Sequence, residues 1–72
     1  MQKLKGYVRM ETDKAILFQI TSDEWGFHLD NQREWFPKSH IKLPKKLRGK
    51  EISIYVQNWL YDSKIKINPQ TL

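Results

Sequence analysis

Two histidines, one of them beside a serine, and a scatter of carboxylates are the groups whose types could support bond-making chemistry. Ser39 and His40 are adjacent, but neighbours in an extended chain point to opposite sides, so the pair lacks nucleophile-and-base geometry. His28 and His40 could share a metal with Asp30 or Glu34. A chain with no cysteine and two histidines is poor in ligands, however, and no metal site is expected. Glu24, Asp30 and Glu34 form the one grouping that could act as a paired acid, and the other carboxylates stand at turns and strand ends, where they serve solubility. Glycines at positions 6, 26 and 49 alone cannot build a phosphate-cradling loop. No catalytic residue and no cofactor is therefore expected, and the chain reads as a binding protein rather than an enzyme.

The binding chemistry lies in cations and rings. From Trp35 to Lys50 there are six cations (Lys38, Lys42, Lys45, Lys46, Arg48 and Lys50) and no carboxylate, a formal +6 against +5 for the whole chain. Cations clustered in this way neutralise phosphates and release counterions, giving affinity with little sequence preference. A second set lies near the start, where Lys3, Lys5, Tyr7 and Arg9 alternate with Leu4, Gly6 and Val8. Tyr55 likewise falls on the polar side of its strand. Rings interleaved with cations on a sheet face hold single-stranded nucleic acid by stacking and phosphate contact. The expected nucleic-acid-binding residues are thus Lys3, Lys5, Tyr7, Arg9, Lys38, Lys42, Lys45, Lys46, Arg48, Lys50 and Tyr55. A sequence pI near 9.6 suits an anionic partner, either nucleic acid or an acidic protein, although lysines also keep a small protein in solution. No RNA-binding aromatic signature, zinc finger or basic zipper is present.

The fold that positions these residues has little material to spare. At 72 residues the chain is one domain, near the size at which a core barely offsets the entropy of ordering. Without cysteine there is no disulfide, which fits a reducing cytoplasm. No stretch approaches the roughly 20 apolar residues of a membrane span. The opening Met-Gln-Lys-Leu-Lys lacks the apolar centre of a signal peptide, so neither a span nor a leader is expected. The core must come from side chains, with Trp25, Phe27, Trp35, Phe36 and Trp59 as its expected bulk.

Residues 2–10 alternate with period two, placing Leu4, Gly6, Val8 and Met10 on the buried side of a strand. Glu11-Thr12-Asp13 is a turn. Lys14 to Ile20 is almost continuously apolar, with Ile16, Phe18 and Ile20 on one side and Ala15 and Leu17 on the other, a strand covered on both faces. After a turn at residues 21–24, Trp25, Phe27 and Leu29 alternate. Asp30-Asn31, both tolerant of left-handed φ, predict a hairpin bend into a return strand over 32–36 that Pro37 stops. Residues 38–41 read as a loop or single helical turn, with Ile41 and Leu43 touching the core. Ile52, Ile54 and Val56 mark the next strand. Asn58 is the expected N-cap of a short helix over 59–64 that packs on the sheet, and Ile65 and Ile67 suggest a last strand. The sum is a mainly β domain over residues 1–72, a small barrel or curled antiparallel sheet of OB-like or SH3-like character with one short C-terminal helix.

Three pieces carry a resemblance: Lys14-Ala15-Ile16-Leu17, then Trp35-Phe36-Pro37-Lys38-Ser39 with Ile41, then Trp59-Leu60. Together they resemble a short, largely uncharacterised domain of bacteriophages and prophages that reads K-A-I-L, a hairpin ending W-(I/F)-P-K-S, a strand, then W-L. The likeness covers residues 14–60. It implies a compact β domain and, because such domains accompany replication and recombination functions, nucleic-acid work. Trp35, Pro37, Lys38 and Ser39 are the positions it carries over, without an established role. This chain departs in its longer basic loop and its cationic first strand. A phage origin also implies a second class of function, a small protein that binds and inhibits a host protein.

Overall fold

The structure, a computed structural model, describes residues 1–24 and 31–65 in full and residues 28–30 as backbone. Among the described residues five strands form one antiparallel sheet: β1 (Gln2–Glu11), β2 (Ala15–Asp23), β3 (His28–Pro37), β4 (Ile41–Lys42) and β5 (Ile52–Val56). Their order is β3-β2-β1-β5-β4, so the sheet is open, with β3 and β4 at its edges. A 3-10 turn at Lys38–His40 joins β3 to β4, and one helix, α1 (Asn58–Lys64), follows β5. The mainly β fold read from the alternation is the fold observed, as a curled sheet rather than a closed barrel. Among the described residues no helix is long and apolar enough to cross a membrane.

The core lies on one face of the sheet. Leu4 and Val8 of β1, Ile16, Phe18 and Ile20 of β2, Phe36 of β3, Ile41 of β4, and Ile52, Ile54 and Val56 of β5 are buried together. Leu60 of α1 and Ile65 close it from the helix side. Phe18 and Phe36 meet edge to face with centroids 6.4 Å apart, an arrangement their quadrupoles favour. Gly6 shares this buried row because β2 crosses too close for any side chain. A Cβ there would stand 1.9 Å from the carbonyl oxygen of Gln19, a backbone atom that cannot swing aside. Tyr61 of α1 brings its hydroxyl within 3.5 Å of the buried Asp23 carboxylate. Burial first, and then the negative charge of Asp23, hold its phenol above the ordinary value of 10.0.

Bulges reset the alternation in each of the three long strands. In β1, Val8 pairs with Phe18 and Met10 with Leu17, leaving Arg9 as an extra residue. Side-chain parity inverts there, and Met10, expected inside with Val8, is 52% exposed on the opposite face. In β2, Thr21 is the extra residue between Ile20 and Ser22. In β3 the left-handed Asn31 (φ 57°) was expected to head a hairpin. The strand instead runs through it, with Gln32 opposite Ile20 and His28 opposite Ser22. Its positive φ serves a bulge, and the chain reverses between Asp23 and His28. The expected alternation of Trp25, Phe27 and Leu29, and Ile67 of the expected last strand, fall outside the described residues and side chains; Ile65, expected in that strand, instead caps the C-terminus of α1.

Trp35 and Trp59, expected in the core, are 40% and 55% exposed. Phe36 takes the inward position at the end of β3, and strand geometry then sends Trp35 outward. In α1, Leu60 turns inward, while Trp59 lies against the His40 ring at 5.2 Å and its indole N–H donates to Gln57 Oε1 at 2.6 Å. The helix also starts one residue earlier than expected, with Gln57 rather than Asn58 at the N-cap and no side-chain capping bond.

Candidate nucleic-acid interface

Because antiparallel partners point to the same side, strand register alone sets the rows of the face away from the core. The first row, across β4, β5 and β1, is Lys42, Tyr55, Lys3. The second, across β5, β1 and β2, is Ser53, Lys5, Ser22. A third, across β1, β2 and β3, is Tyr7, Gln19, Arg33, and the fourth is Met10, Leu17, Trp35. Three rings and four cations thus stand on ladder positions, and the bulged Arg9 adds a fifth cation. Tyr55 is 43% exposed, so an aromatic surface is open at each end of the face.

Arg9 is held in place. Its guanidinium carbon lies 5.0 Å from the centroid of the Tyr7 ring, and its Nε–H donates to Gln19 Oε1 at 2.7 Å. The contact occupies Tyr7, the residue read as a stacking platform, with a cation from its own strand.

The nearby carboxylates are engaged elsewhere. Glu11 forms the one salt bridge among the described residues, to Lys38 Nζ at 2.6 Å. Glu24 accepts from the backbone N–H of Lys3 at 3.2 Å, and Glu51 from the Thr21 hydroxyl at 2.6 Å. Glu34 accepts from the Gln32 amide at 2.9 Å, and the same amide donates to the Lys64 carbonyl at 3.1 Å. The side chains of Lys3, Lys5, Arg9, Arg33 and Lys42 therefore keep their charge free of carboxylate partners within the described residues.

The expected site residues divide into three groups. Lys3, Lys5, Tyr7, Arg9, Lys42 and Tyr55 meet on the outer face. Lys45, Lys46, Arg48 and Lys50 are exposed in the loop of residues 43–51, whose Leu43 and Leu47 pack against the core. That loop leaves β4 beside Tyr55, around a surface depression lined by Lys42, Leu43, Pro44, Ser53 and Tyr55, so its charge adjoins the face. Lys38 stands apart at the turn between β1 and β2, its backbone N–H donating to the Lys14 carbonyl at 2.7 Å and its ammonium held by Glu11.

Arg33 and Trp35 were missed by sequence reasoning. A signal was present, since the alternation of residues 32–36 sets Arg33 and Trp35 on one side and Phe36 on the other. Ala15, Ile16 and Leu17 pair with Pro37, Phe36 and Trp35, and the His40 ring that follows this ladder touches Trp59.

A face of this kind offers flat apolar surfaces for bases and positive charge for the backbone between them. Among the described residues no group of three or more metal-ligating side chains converges, and the side chains of His28 and Asp30 lie outside that description. No protein-family model matches the chain, and no match to it was found among the curated proteins or the solved structures.

Proposed function

We propose that this protein is a non-catalytic nucleic-acid-binding domain that takes single-stranded or structured nucleic acid, DNA or RNA, across the outer face of its sheet with low sequence specificity. One observation carries the reading: Tyr55 and Trp35 stand exposed at opposite ends of a sheet face whose intervening rows hold cations without carboxylate partners among the described residues. Bases stack on rings whatever their identity, and phosphates need charge beside those rings. The loop of Lys45, Lys46, Arg48 and Lys50 supplies additional charge at the Tyr55 end and raises the rate of encounter. A reducing cytoplasm is the proposed compartment, and a role beside phage replication or recombination, as the resemblance implies, belongs to the same proposal.

The test is a titration with labelled single-stranded DNA, duplex DNA and single-stranded RNA at two salt concentrations. Tighter binding of a single strand than of duplex, weakening steeply with salt, is the expected result. No binding to any of the three at about 50 mM salt, where phosphate contacts are strong, overturns it.

A second reading rests on a different observation. Met10, Leu17 and Trp35 form an apolar row at the β3 end of the same face, with Met10 and Trp35 well exposed. Such a row beside a cationic field suits an acidic protein partner, as for a small phage-encoded inhibitor or accessory factor.

A further inference from the structure

A surface arginine normally samples many rotamers, and where a protein fixes one it usually does so with a carboxylate that also cancels its charge. Arg9 is fixed differently. The bulge leaves it without an opposite residue in the β1–β2 ladder; its guanidinium lies over the Tyr7 ring at 5.0 Å, while Gln19 takes its Nε–H at 2.7 Å. One contact sets the height of the plane and the other its rotation, and both partners are neutral. The charge survives intact. With Nε occupied, the remaining donors are the Nη groups at the far end of the guanidinium.

The surroundings favour an anion. Tyr7, Gln19 and Arg33 share one row, so a second guanidinium stands on the same ladder two strands away, and Lys5 is the next outward residue of β1. The closest carboxylate along the strand, Glu11, is bound to Lys38 at 2.6 Å. Two parallel N–H donors on a rigid plane match two oxygens of a tetrahedral oxyanion, and a point charge on a flexible stem does not.

We infer that Arg9, held by Gln19 and Tyr7, is a preorganised fork that grips one backbone phosphate through two Nη hydrogen bonds and so fixes where a strand lies on the face. This deepens the proposed function and rests on it. Gln19 and Tyr7 are then positioning residues. Tyr7 supports the guanidinium instead of receiving a base, and Trp35 and Tyr55 are left as the stacking surfaces.

The experiment is a double-mutant cycle read with a fluorescein-labelled (dT)8 oligonucleotide. Arg9→Lys keeps the charge and loses the fork, and Gln19→Leu removes the acceptor at similar size. Because the Arg9 side chain is exposed and Gln19 lies on the outer face, both variants should melt close to the parent, which separates binding from folding. Arg9→Lys should weaken binding about five- to tenfold with an unchanged salt slope, since the number of charges is the same. Gln19→Leu should weaken it several-fold with Arg9 present and have no further effect beside Lys at position 9. An Arg9 Nε–H resonance that resists exchange in the parent should be lost in Gln19→Leu. Parent-like affinity of Arg9→Lys, or equal losses from Gln19→Leu in both backgrounds, overturns the fork while leaving the proposed function standing. Failure of the parent to bind any nucleic acid overturns both.

Discussion

The outer sheet face and the loop of residues 43–51 are both cationic, and they are made in different ways. On the face, Lys3, Lys5, Arg33 and Lys42 stand at positions set by strand pairing, and Tyr7, Tyr55 and Trp35 lie between them. The loop carries Lys45, Lys46, Arg48 and Lys50 with no ring among them, and is tied down through Leu43 and Leu47. Charge without rings attracts a polyanion from a distance and is indifferent to its form. Charge spaced by rings on a rigid ladder distinguishes unstacked bases from a closed duplex. The loop should therefore set how strongly the protein responds to salt, and the face what it prefers to bind.

The largest effect that sharpens this contrast comes from adjacent residues on opposite sides of β3. Phe36→Ala should cost about 3–5 kcal/mol, enough to leave a domain of this size mostly unfolded in a thermal melt. Trp35→Ala should cost roughly 1 kcal/mol of stability or less, because the ring is already partly in water, yet weaken single-strand binding several-fold. A collapse of both variants would show that the outer face is not a free surface.

Next comes the loop. Changing Lys45, Lys46 and Arg48 together to Gln should leave the melting temperature near the parent's. The slope of log affinity against log salt should flatten by about 2 for a single strand if all three reach phosphate. An unchanged slope would break the division of labour between loop and face.

Tyr55→Ala tests the face from its other end. The expected loss of single-strand affinity is about 1 kcal/mol, at the low end for one stacked base, with a smaller loss for duplex in parallel titrations. Equal losses on the two would reduce Tyr55 to a groove wall beside Pro44.

The smallest effect belongs to the buried side, where α1 meets the sheet. The Tyr61 phenol is held above 10.0 by burial and by Asp23, so its neutral form is favoured in the fold. Below pH 10 the phenol is neutral in both folded and unfolded chains and the contact is intact. As pH rises past 10 the unfolded chain ionises first, and stability falls until the folded phenol titrates too. Denaturant melts between pH 9 and 11.5 should show this decline, and Tyr61→Phe should reduce it. Binding at the outer face should be indifferent to that substitution.

Much of this architecture was legible in the chain. Ile52, Ile54 and Val56 announced their strand and its buried side because period two survives wherever pairing is regular. The cationic outer row of β1 was legible for the same reason. Ile16, Phe18 and Ile20 announced a strand, but Ala15 and Leu17 made both its faces read as covered, whereas only one is buried. Bulges escape such reading, since one extra residue inverts parity with no compositional mark; Met10 was misplaced by Arg9 in this way. Trp35-Phe36 was ambiguous for another reason. Two large rings in succession must split between faces, and volume alone favours neither. Asn31 announced a left-handed residue correctly, but that conformation serves a bulge as well as a turn, and only pairing with β2 decides between them. The Arg9–Gln19–Tyr7 contact was beyond reach because it depends on register between two strands.

Among the described residues no strand pairs with the outer edge of β3, and this has a consequence for life at high concentration. A long uncovered strand is a template on which further copies can add, the first step towards fibrils. In β3 the left-handed Asn31 interrupts the ladder at one end and Pro37, without an N–H, ends it at the other. Between them only Gln32 to Phe36 runs straight, with Arg33 and Glu34 bringing opposite charges into the stretch. A rim so divided is a poor template for the edge-to-edge addition of further copies.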